Sequence, residues 1–271
     1  MTFEKYEIGG SVIYNADSLE VMQTLPDGSI DAVISDPPYG ITAHHWDQVP
    51  PLDKMWQLFE AKSKDNANHV LFGCGGFSID LINSKRAWYR YSLTWIKNNK
   101  TGWLNSGRMV HRNTEDIMVF GKPGFQKTAV FNVPEGYPHP CSALPFDHER
   151  GNNQQNLHFH NTQKPLRLMG YLLMLYTNPG DLILEPYAGS GTTLLAALKL
   201  GRRFVGVERE RSFYETACRR LYEAHQQKNA RRRTTLMTFP VDGDLVAADE
   251  LPMESAMPEE QQGLVHGVGA A

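Results

Sequence analysis

Leu182-Ile183-Leu184-Glu185-Pro186-Tyr187-Ala188-Gly189-Ser190-Gly191-Thr192-Thr193, followed by Leu194 to Leu200 and by Arg203 to Val207 with Glu208 behind it, decides the fold. The apolar run Leu182–Leu184 reads as a buried strand, and Leu194–Leu200 as a helix. Arg203–Val207 reads as a second strand ending at Glu208. The span is one βαβ unit of a doubly wound α/β sheet. Gly189 and Gly191 let the backbone turn tightly and approach a ligand closely. The helix behind them offers free N–H groups and a positive dipole end. Glu208 stands where an acid takes ribose hydroxyls in nucleotide-binding α/β folds. The spacing suits a nucleoside bearing a compact charged group; no G-K-[ST] follows that would favour phosphate. The plainer reading is a βαβ unit with a glycine turn and no ligand.

A second strand stops abruptly upstream. Ile30 to Ser35 is apolar and is followed by Asp36-Pro37-Pro38-Tyr39. Neither proline has an N–H, and both fix φ near −65°, so the strand must end at Asp36. The tetrapeptide is a stiff knuckle at the carboxyl edge of a sheet, where such folds bind ligands. Asp36 supplies a carboxylate, the carbonyls of Asp36 and Pro37 lack ladder partners, and Tyr39 supplies a flat ring. Acceptors beside a stacking ring suit a planar group bearing an –NH2, such as an adenine or cytosine edge. A Pro-rich turn with a capping Asp is the alternative.

The remaining chain reads as follows. Ser11–Asn15 is a first strand, and Ser18 caps a short helix through Leu25. Pro26–Ser29 is a turn, and His44-His45-Trp46-Asp47 lies in a mobile loop near the substrate. The two His have no partners at ligand spacing, so no metal is expected. Helices are read over Leu52–Ser63, Ser78–Ser84, Pro165–Tyr176 and Ser212 to about Lys228, and strands over His69–Phe72, Tyr89–Lys97 and Glu115–Gly121. Gly73-Cys74-Gly75-Gly76 is a tight strand-to-helix turn rather than a phosphate cradle. Asn98–Arg112 is a polar loop, and Phe125–His160 shows no period; an irregular stretch of that length is uncommon and often functional.

Composition sets outer bounds. The 271 residues are 41% hydrophobic and 21% charged, ordinary for a globular chain. No apolar run approaches the about 20 residues of a membrane span, the start Met-Thr-Phe-Glu-Lys lacks a signal-peptide pattern, and three scattered cysteines form no disulfide framework. A cytoplasmic setting is expected. The net charge is −3, but residues 241–271 hold seven of the 30 acids and no Lys or Arg. The 23 other acids face all 27 Lys and Arg, a body charge of +4. A mildly basic body with an acidic, disordered tail is compatible with DNA contact. Arg231-Arg232-Arg233 is read as the end of the ordered part.

D-P-P-Y at 36–39, N-T-Q-K-P at 161–165 and E-P-Y-A-G-S-G-T-T at 185–193, in this order, resemble the β-class DNA amino-methyltransferases that use S-adenosylmethionine. Asn15-Ala16-Asp17-Ser18-Leu19, Leu25–Asp31, Trp95-Ile96-Lys97-Asn98 and Glu115–Phe120 are similar to the family as well, and the likeness covers roughly residues 10 to 225. The glycine motif more often begins with Asp and has Phe where Tyr187 stands, and Asn161 replaces a more frequent Pro. The resemblance implies a Rossmann-like, mostly parallel seven-stranded sheet, the circularly permuted class I methyltransferase fold, with an antiparallel hairpin at one edge and an inserted target-recognition region. It places a methyltransferase domain at 1–240, with target-reading segments near 98–112 and 125–160, before a tail at 241–271.

For the site, it implies that Asp36 and the Pro37 carbonyl, in the Asp36-Pro37-Pro38-Tyr39 catalytic motif, accept the target amine's hydrogen bonds while Tyr39 stacks on a flipped base. Glu208 takes the ribose hydroxyls, and Asp17 lies near the adenine of the cofactor. Glu185, Tyr187, Gly189, Ser190, Gly191 and Thr192 belong to the cofactor site, with Thr162 and Lys164 near the cofactor's carboxylate. His44, Arg108, Arg112 and Arg150 are DNA-contact candidates. The implied activity is sequence-specific transfer of methyl to N6 of adenine in DNA. N4 of cytosine is the first alternative, although the cytosine members more often carry Ser at position 36; methylation of RNA or of a protein amide is the second, and a silent DNA-binding module the third. A homodimer and a cognate restriction endonuclease are possible partners, in a bacterial cytoplasm whether the gene is bacterial or phage-borne.

Overall fold

A computed structural model describes residues 2–101, 107–108, 110–124, 140–147 and 163–237, the side chains of 99–101 and 228–237 excepted. In chain order the elements are β1 (Glu4–Ile8), β2 (Ser11–Asn15), α1 (Ser18–Thr24), β3 (Ile30–Ser35), α2 (Leu52–Lys62), β4 (Ser63–Gly73), α3 (Gly76–Ser84), β5 (Tyr89–Thr101), β6 (Arg112–Phe120), β7 (Ala143–Pro145), α4 (Leu166–Tyr176), β8 (Leu182–Glu185), α5 (Thr192–Lys199), β9 (Arg203–Glu208) and α6 (Arg211–Met237). By compactness residues 1–232 form one unit and 233–271 another.

The described strands make one sheet in the order β1-β2-β9-β8-β3-β4-β6-β5-β7. From β2 through β4 neighbours run parallel, and β6 is antiparallel to both β4 and β5. Those seven strands are the mostly parallel sheet with an edge hairpin that the sequence led us to expect. Two more strands extend it: β1 pairs antiparallel with β2, and β7 pairs parallel with β5.

Strand alternation builds a core on each face. Ala32 and Ile34 of β3 join Val70 and Phe72 of β4 against Leu168, Leu172, Leu194 and Leu221 from α4, α5 and α6. Val33, Leu71, Met118 and Phe120 point the other way, against Met22, Met55, Trp56, Phe59, Phe77 and Leu81 from α1, α2 and α3. His69 sits fully buried among Trp56, Phe59 and Trp88, with Ser63 Oγ 3.0 Å from its Nε2, and burial drives its pKa down to about 3. It is a neutral core residue.

The chain leaves β3 through α2 to β4 on one side, and leaves β8 through α5 to β9 on the other. Strands β3 and β8 are neighbours, with Ala32 opposite Ile183 and Val33 opposite Leu184. Their carboxyl ends are therefore the switch point of the sheet, where a crevice opens.

Several boundaries differ from the sequence reading. Asp17, not Ser18, caps α1, its Oδ1 accepting from the N–H groups of Leu19 (2.9 Å) and Glu20 (3.4 Å). Strand β4 starts at Ser63 rather than His69, because a register shift opposite Ile30–Ala32 absorbs its polar start. Strands β5 and β6 take Asn98–Thr101 and Arg112 out of the expected polar loop, and β6 starts three residues ahead of the expected Glu115. Helix α3 begins at Gly76 and α5 at Thr192, and Pro165 stands just before α4 in extended conformation instead of in its first turn. Helix α6 runs past Arg231–Arg233 to Met237. Strand β7 lies inside the stretch read as irregular, held by Thr94 N donating to Ser142 O (2.7 Å) and Trp95 Nε1 donating to Phe146 O (2.7 Å).

One guanidinium closes two helix ends. Arg202, buried, donates to the carbonyl of Thr177 after α4 (2.8 Å) and to that of Leu200 after α5 (2.8 Å), and its Nε donates to Thr177 Oγ1 (3.1 Å). Orphan carbonyls at helix ends need such partners. Arg202→Met should lower the unfolding free energy by about 1–3 kcal/mol, the cost of unsatisfied buried acceptors. Urea unfolding should show an earlier midpoint at unchanged slope.

Candidate active site

The crevice at the carboxyl ends of β3, β8 and β9 holds a cleft of about 560 Å³. Seven of its lining side chains are Asp or Glu and four are Lys or Arg. Each of the three strands ends in an acid: Asp36 after β3, Glu185 in β8 and Glu208 in β9.

Asp36 is bonded at both oxygens. Oδ1 accepts from the Tyr39 hydroxyl (2.5 Å) and Oδ2 from Lys164 Nζ (2.5 Å). The Tyr39 ring lies stacked on Phe77, centroids 5.2 Å apart at 27°. Burial first, and then the Asp36 charge, push the Tyr39 phenol well above its usual range, so it remains a donor. Pro37 is buried, and Pro37 and Pro38 both line the cleft.

The loop after Tyr39 is braced from within by Asp47. Asp47 accepts from the N–H groups of Gly40 (2.8 Å), Ile41 (2.9 Å) and Thr42 (2.7 Å). Burial opposes its ionisation, but these donors hold its pKa below the usual value. Trp46 meets Phe213 edge-on at 6.3 Å, and His45 lies 3.1 Å from Glu210, so the loop leans on the far wall of the cleft.

The glycine turn forms another wall of the cleft. Gly189 and Gly191 have φ of +53° and +79°, and a Cβ on Gly191 would lie 2.8 Å from that of Ala217. Glu208 accepts at Oε2 from Gly189 N and at Oε1 from Glu210 N, both 2.7 Å. Burial raises its pKa. Asn15 Nδ2 donates to the carbonyls of Glu208 (2.8 Å) and Arg209 (3.0 Å), which fixes the turn after β9. Arg220 of α6 donates to Ser190 O (2.5 Å), and the Ser190 hydroxyl donates to Gln163 (3.1 Å). Ser190 and Thr192 line the cleft at the start of α5.

Glu185 differs from its neighbours. It accepts from the hydroxyls of Ser35 (2.5 Å) and Thr193 (2.8 Å) and from Tyr187 N (3.2 Å), with no cation bonded to it among the described residues. Burial pushes its pKa up to about 8. Tyr187 is held beside Ser18 with its hydroxyl buried.

The remaining expected residues fall in three places. Asp17 lines the cleft while capping α1. Lys164 turns its ammonium to Asp36, and Arg112 lines the cleft with Nη1 2.6 Å from Cys74 Sγ. Arg108 is exposed and not part of the cleft lining, and His44 is exposed and stacked on Trp46 at 5.0 Å. Thr162 and Arg150 lie outside the described residues. Among the described residues, no group of three or more His, Cys, Asp or Glu is placed to hold a metal ion.

The sequence reading missed Lys97, Glu115, Asp47 and Arg220. The first two had a signal. Leu93, Trp95 and Lys97 alternate along β5, Glu115, Ile117 and Val119 along β6, and Trp95 is opposite Glu115. One apolar face therefore ends in a diagonal Lys–Glu pair at the cleft.

A family model described as a DNA methylase matches residues 30–219. The chain belongs to this DNA methylase family, the N6/N4 group. The type II methyltransferase M.HinfI of Haemophilus influenzae is 26% identical to the methylase over 254 residues, covering 81% of this chain and 70% of that protein. The DNA adenine methyltransferase YhdJ of Escherichia coli is 26% identical over 264 residues, covering 82% and 88%. Among solved structures, an M1.HpyAVI–SAM complex superposes with a TM-score of 0.58 at 29% identity, covering 77% of the methylase and 98% of that chain. The cytosine-N4-specific PvuII DNA methyltransferase superposes with a TM-score of 0.67 at 18% identity, covering 83% and 96%, which speaks to the fold alone.

The proton on Glu185 sets a pH dependence. Its folded value of about 8 stands above the ordinary 4.5. Between these two values the folded chain keeps a proton that the unfolded chain has released. Stability from this group is therefore present at low pH and falls as pH rises through the window, levelling off above it. Glu185→Gln keeps the shape and removes the titration. Urea midpoints at about pH 5 and pH 8.5 should drop less in the variant than in the parent.

Proposed function

We propose that this DNA methylase transfers the methyl group of S-adenosylmethionine to N6 of adenine at a specific DNA sequence. The observation that carries the reading is that Asp36 and Pro37 line the same cleft as Glu208 and the glycine turn. One end suits a nucleoside and the other a planar amine.

The cofactor fit rests on the chain's own groups. Glu208 is pinned by backbone N–H groups, with lone pairs left for ribose hydroxyls. The turn at Gly189 has no room-filling side chain, so a ligand can approach the start of α5. The excess of carboxylates in the cleft suits a cation. When bound, the sulfonium supplies an already activated methyl group.

The chain then has to present the acceptor. The lone pair of an exocyclic amine is delocalised into its ring, and two acceptors on its N–H bonds favour a pyramidal, nucleophilic nitrogen. Positive charge develops on that nitrogen as the methyl arrives. A fixed carboxylate at Asp36, in a site shielded from water, stabilises it without reorganising. The rest is alignment, and the base has to leave the duplex to be aligned.

Asp36, where the cytosine members more often carry Ser, and the adenine enzyme among the relatives support adenine. Arg108, Arg112 and Arg150, in the segments 98–112 and 125–160, are the readers we propose for the target sequence.

Methylome sequencing of a methylation-free host expressing the chain should show N6-methyladenine in one sequence context; N4-methylcytosine instead would reverse the target. Asp36→Ala should lower the transfer rate by at least about 10²–10³-fold while cofactor affinity, read by calorimetry, is retained. Tyr39→Phe loses a hydrogen bond but keeps the ring, so it should cost far less activity than Tyr39→Ala. Equal losses in both would argue against stacking.

A further inference from the structure

Four ionisable side chains alternate in sign across the acceptor end of the cleft. Lys97 Nζ pairs with Glu115 Oε1, Glu115 Oε2 lies 3.2 Å from Lys164 Nζ, and Lys164 Nζ lies 2.5 Å from Asp36 Oδ2. All four line the cleft, but the relative exposures of Lys97, Glu115 and Lys164 are 9%, 13% and 7%, against 27% for Asp36, so Asp36 is the most open of the row. The walls are aromatic: the Lys164 ammonium is 5.0 Å from the Phe72 ring and 5.6 Å from that of Tyr39, and Lys97 is 5.0 Å from Trp95.

Charges this deep are costly unless paired, and removing one partner strands the other. Here each inner group has a partner on both sides, and the row sums to zero. Burial works against the charged forms of Glu115 and Lys164, yet attraction to their partners leaves the Glu115 carboxyl below its usual range and the Lys164 ammonium above its own. Both stay charged.

Resting on the methyltransferase reading above, we propose that Lys164 and Glu115 are positioning residues for the acceptor amine: Glu115, anchored by Lys97, aims the Lys164 ammonium at Asp36 and so fixes the plane of its carboxylate. Lys164 thereby serves the methyl acceptor and not the carboxylate of the cofactor, which is where the family resemblance had put it. The geometry supports this on two counts. Lys164 and Tyr39 occupy one oxygen of Asp36 each, so the carboxylate cannot turn about its bond, and the amine meets lone pairs in fixed directions. Glu115 draws on the same ammonium from the other side, which limits how far Lys164 cancels the charge that Asp36 presents.

The experiment uses the full chain, tritiated S-adenosylmethionine and unmethylated plasmid DNA from a methylation-free host. Transfer by the unaltered protein comes first, and its absence would count against the methyltransferase reading itself. Lys164→Met should lower the single-turnover rate at saturating cofactor by about a hundredfold, with cofactor affinity by calorimetry changed less than about threefold. The near-isosteric Glu115→Gln should lower the rate about tenfold at unchanged affinity, and Glu115→Asp should recover part of that loss. Because the pair acts as a unit, adding Glu115→Gln to Lys164→Met should cost little more than Lys164→Met alone. A tenfold or greater loss of cofactor affinity in Lys164→Met, with the saturated rate preserved, would make Lys164 a cofactor ligand and overturn the proposal. Full activity in Glu115→Gln would overturn it as well, and that variant carries the test if Lys164→Met does not fold.

Discussion

Two parallel strands stop side by side because each runs into a proline. Strand β3 meets Pro37 two residues past Ser35, and β8 meets Pro186 directly after Glu185. A proline cannot donate to the ladder, and the residue before it is held extended, so each chain leaves the sheet there; with Val33 level with Leu184, Asp36 stands two residues further out than Glu185. The residue before each proline is an acid. With Glu208 at the end of β9, three carboxylates stand at three adjacent strand ends. The cleft exists because the crossovers from β3 and β8 diverge, and its chemistry comes from the acid that each strand carries to that edge.

Their surroundings then separate the three acids. Asp36 has a cation and a phenol, Glu208 has two backbone N–H groups, and Glu185 has two hydroxyls and one N–H in full burial. Neutral donors do not offset complete desolvation, so Glu185 reaches a pKa of about 8. It acts as a buried tie, joining the end of β3 through Ser35 to the start of α5 through Thr193. The two acids on either side of it remain as surfaces that a ligand can meet.

Much of this was legible in the sequence, for stated reasons. Buried parallel strands are apolar runs, so β3, β8 and β9 declared themselves, and prolines and glycines marked where they stopped. Strands that exist through pairing did not. Glu-Lys-Tyr-Glu-Ile at β1, the polar start of β4 and the three residues of β7 have too little apolar alternation to stand out, and only their neighbours make them strands. Asp17 and Ser18 are both good caps, and composition could not choose between them. The loop at His44 gave no sign that Asp47 would gather three backbone N–H groups. Lys164 shows the limit best. It is 128 residues from Asp36, and no local pattern measures that distance.

The identity of that lysine follows from its surroundings. A guanidinium is planar and presents its donors as a fork, which suits one carboxylate taken broadside. Here two carboxylates approach one cation from different directions, between the rings of Phe72 and Tyr39. A compact ammonium with three rotatable donors can serve both and still fit between the aromatic faces. Its backbone is also set in advance: Pro165, at φ −60°, holds the chain extended before α4 turns away. The stem of Lys164 therefore starts from a fixed point, and the flexible part spans only the distance between two acids.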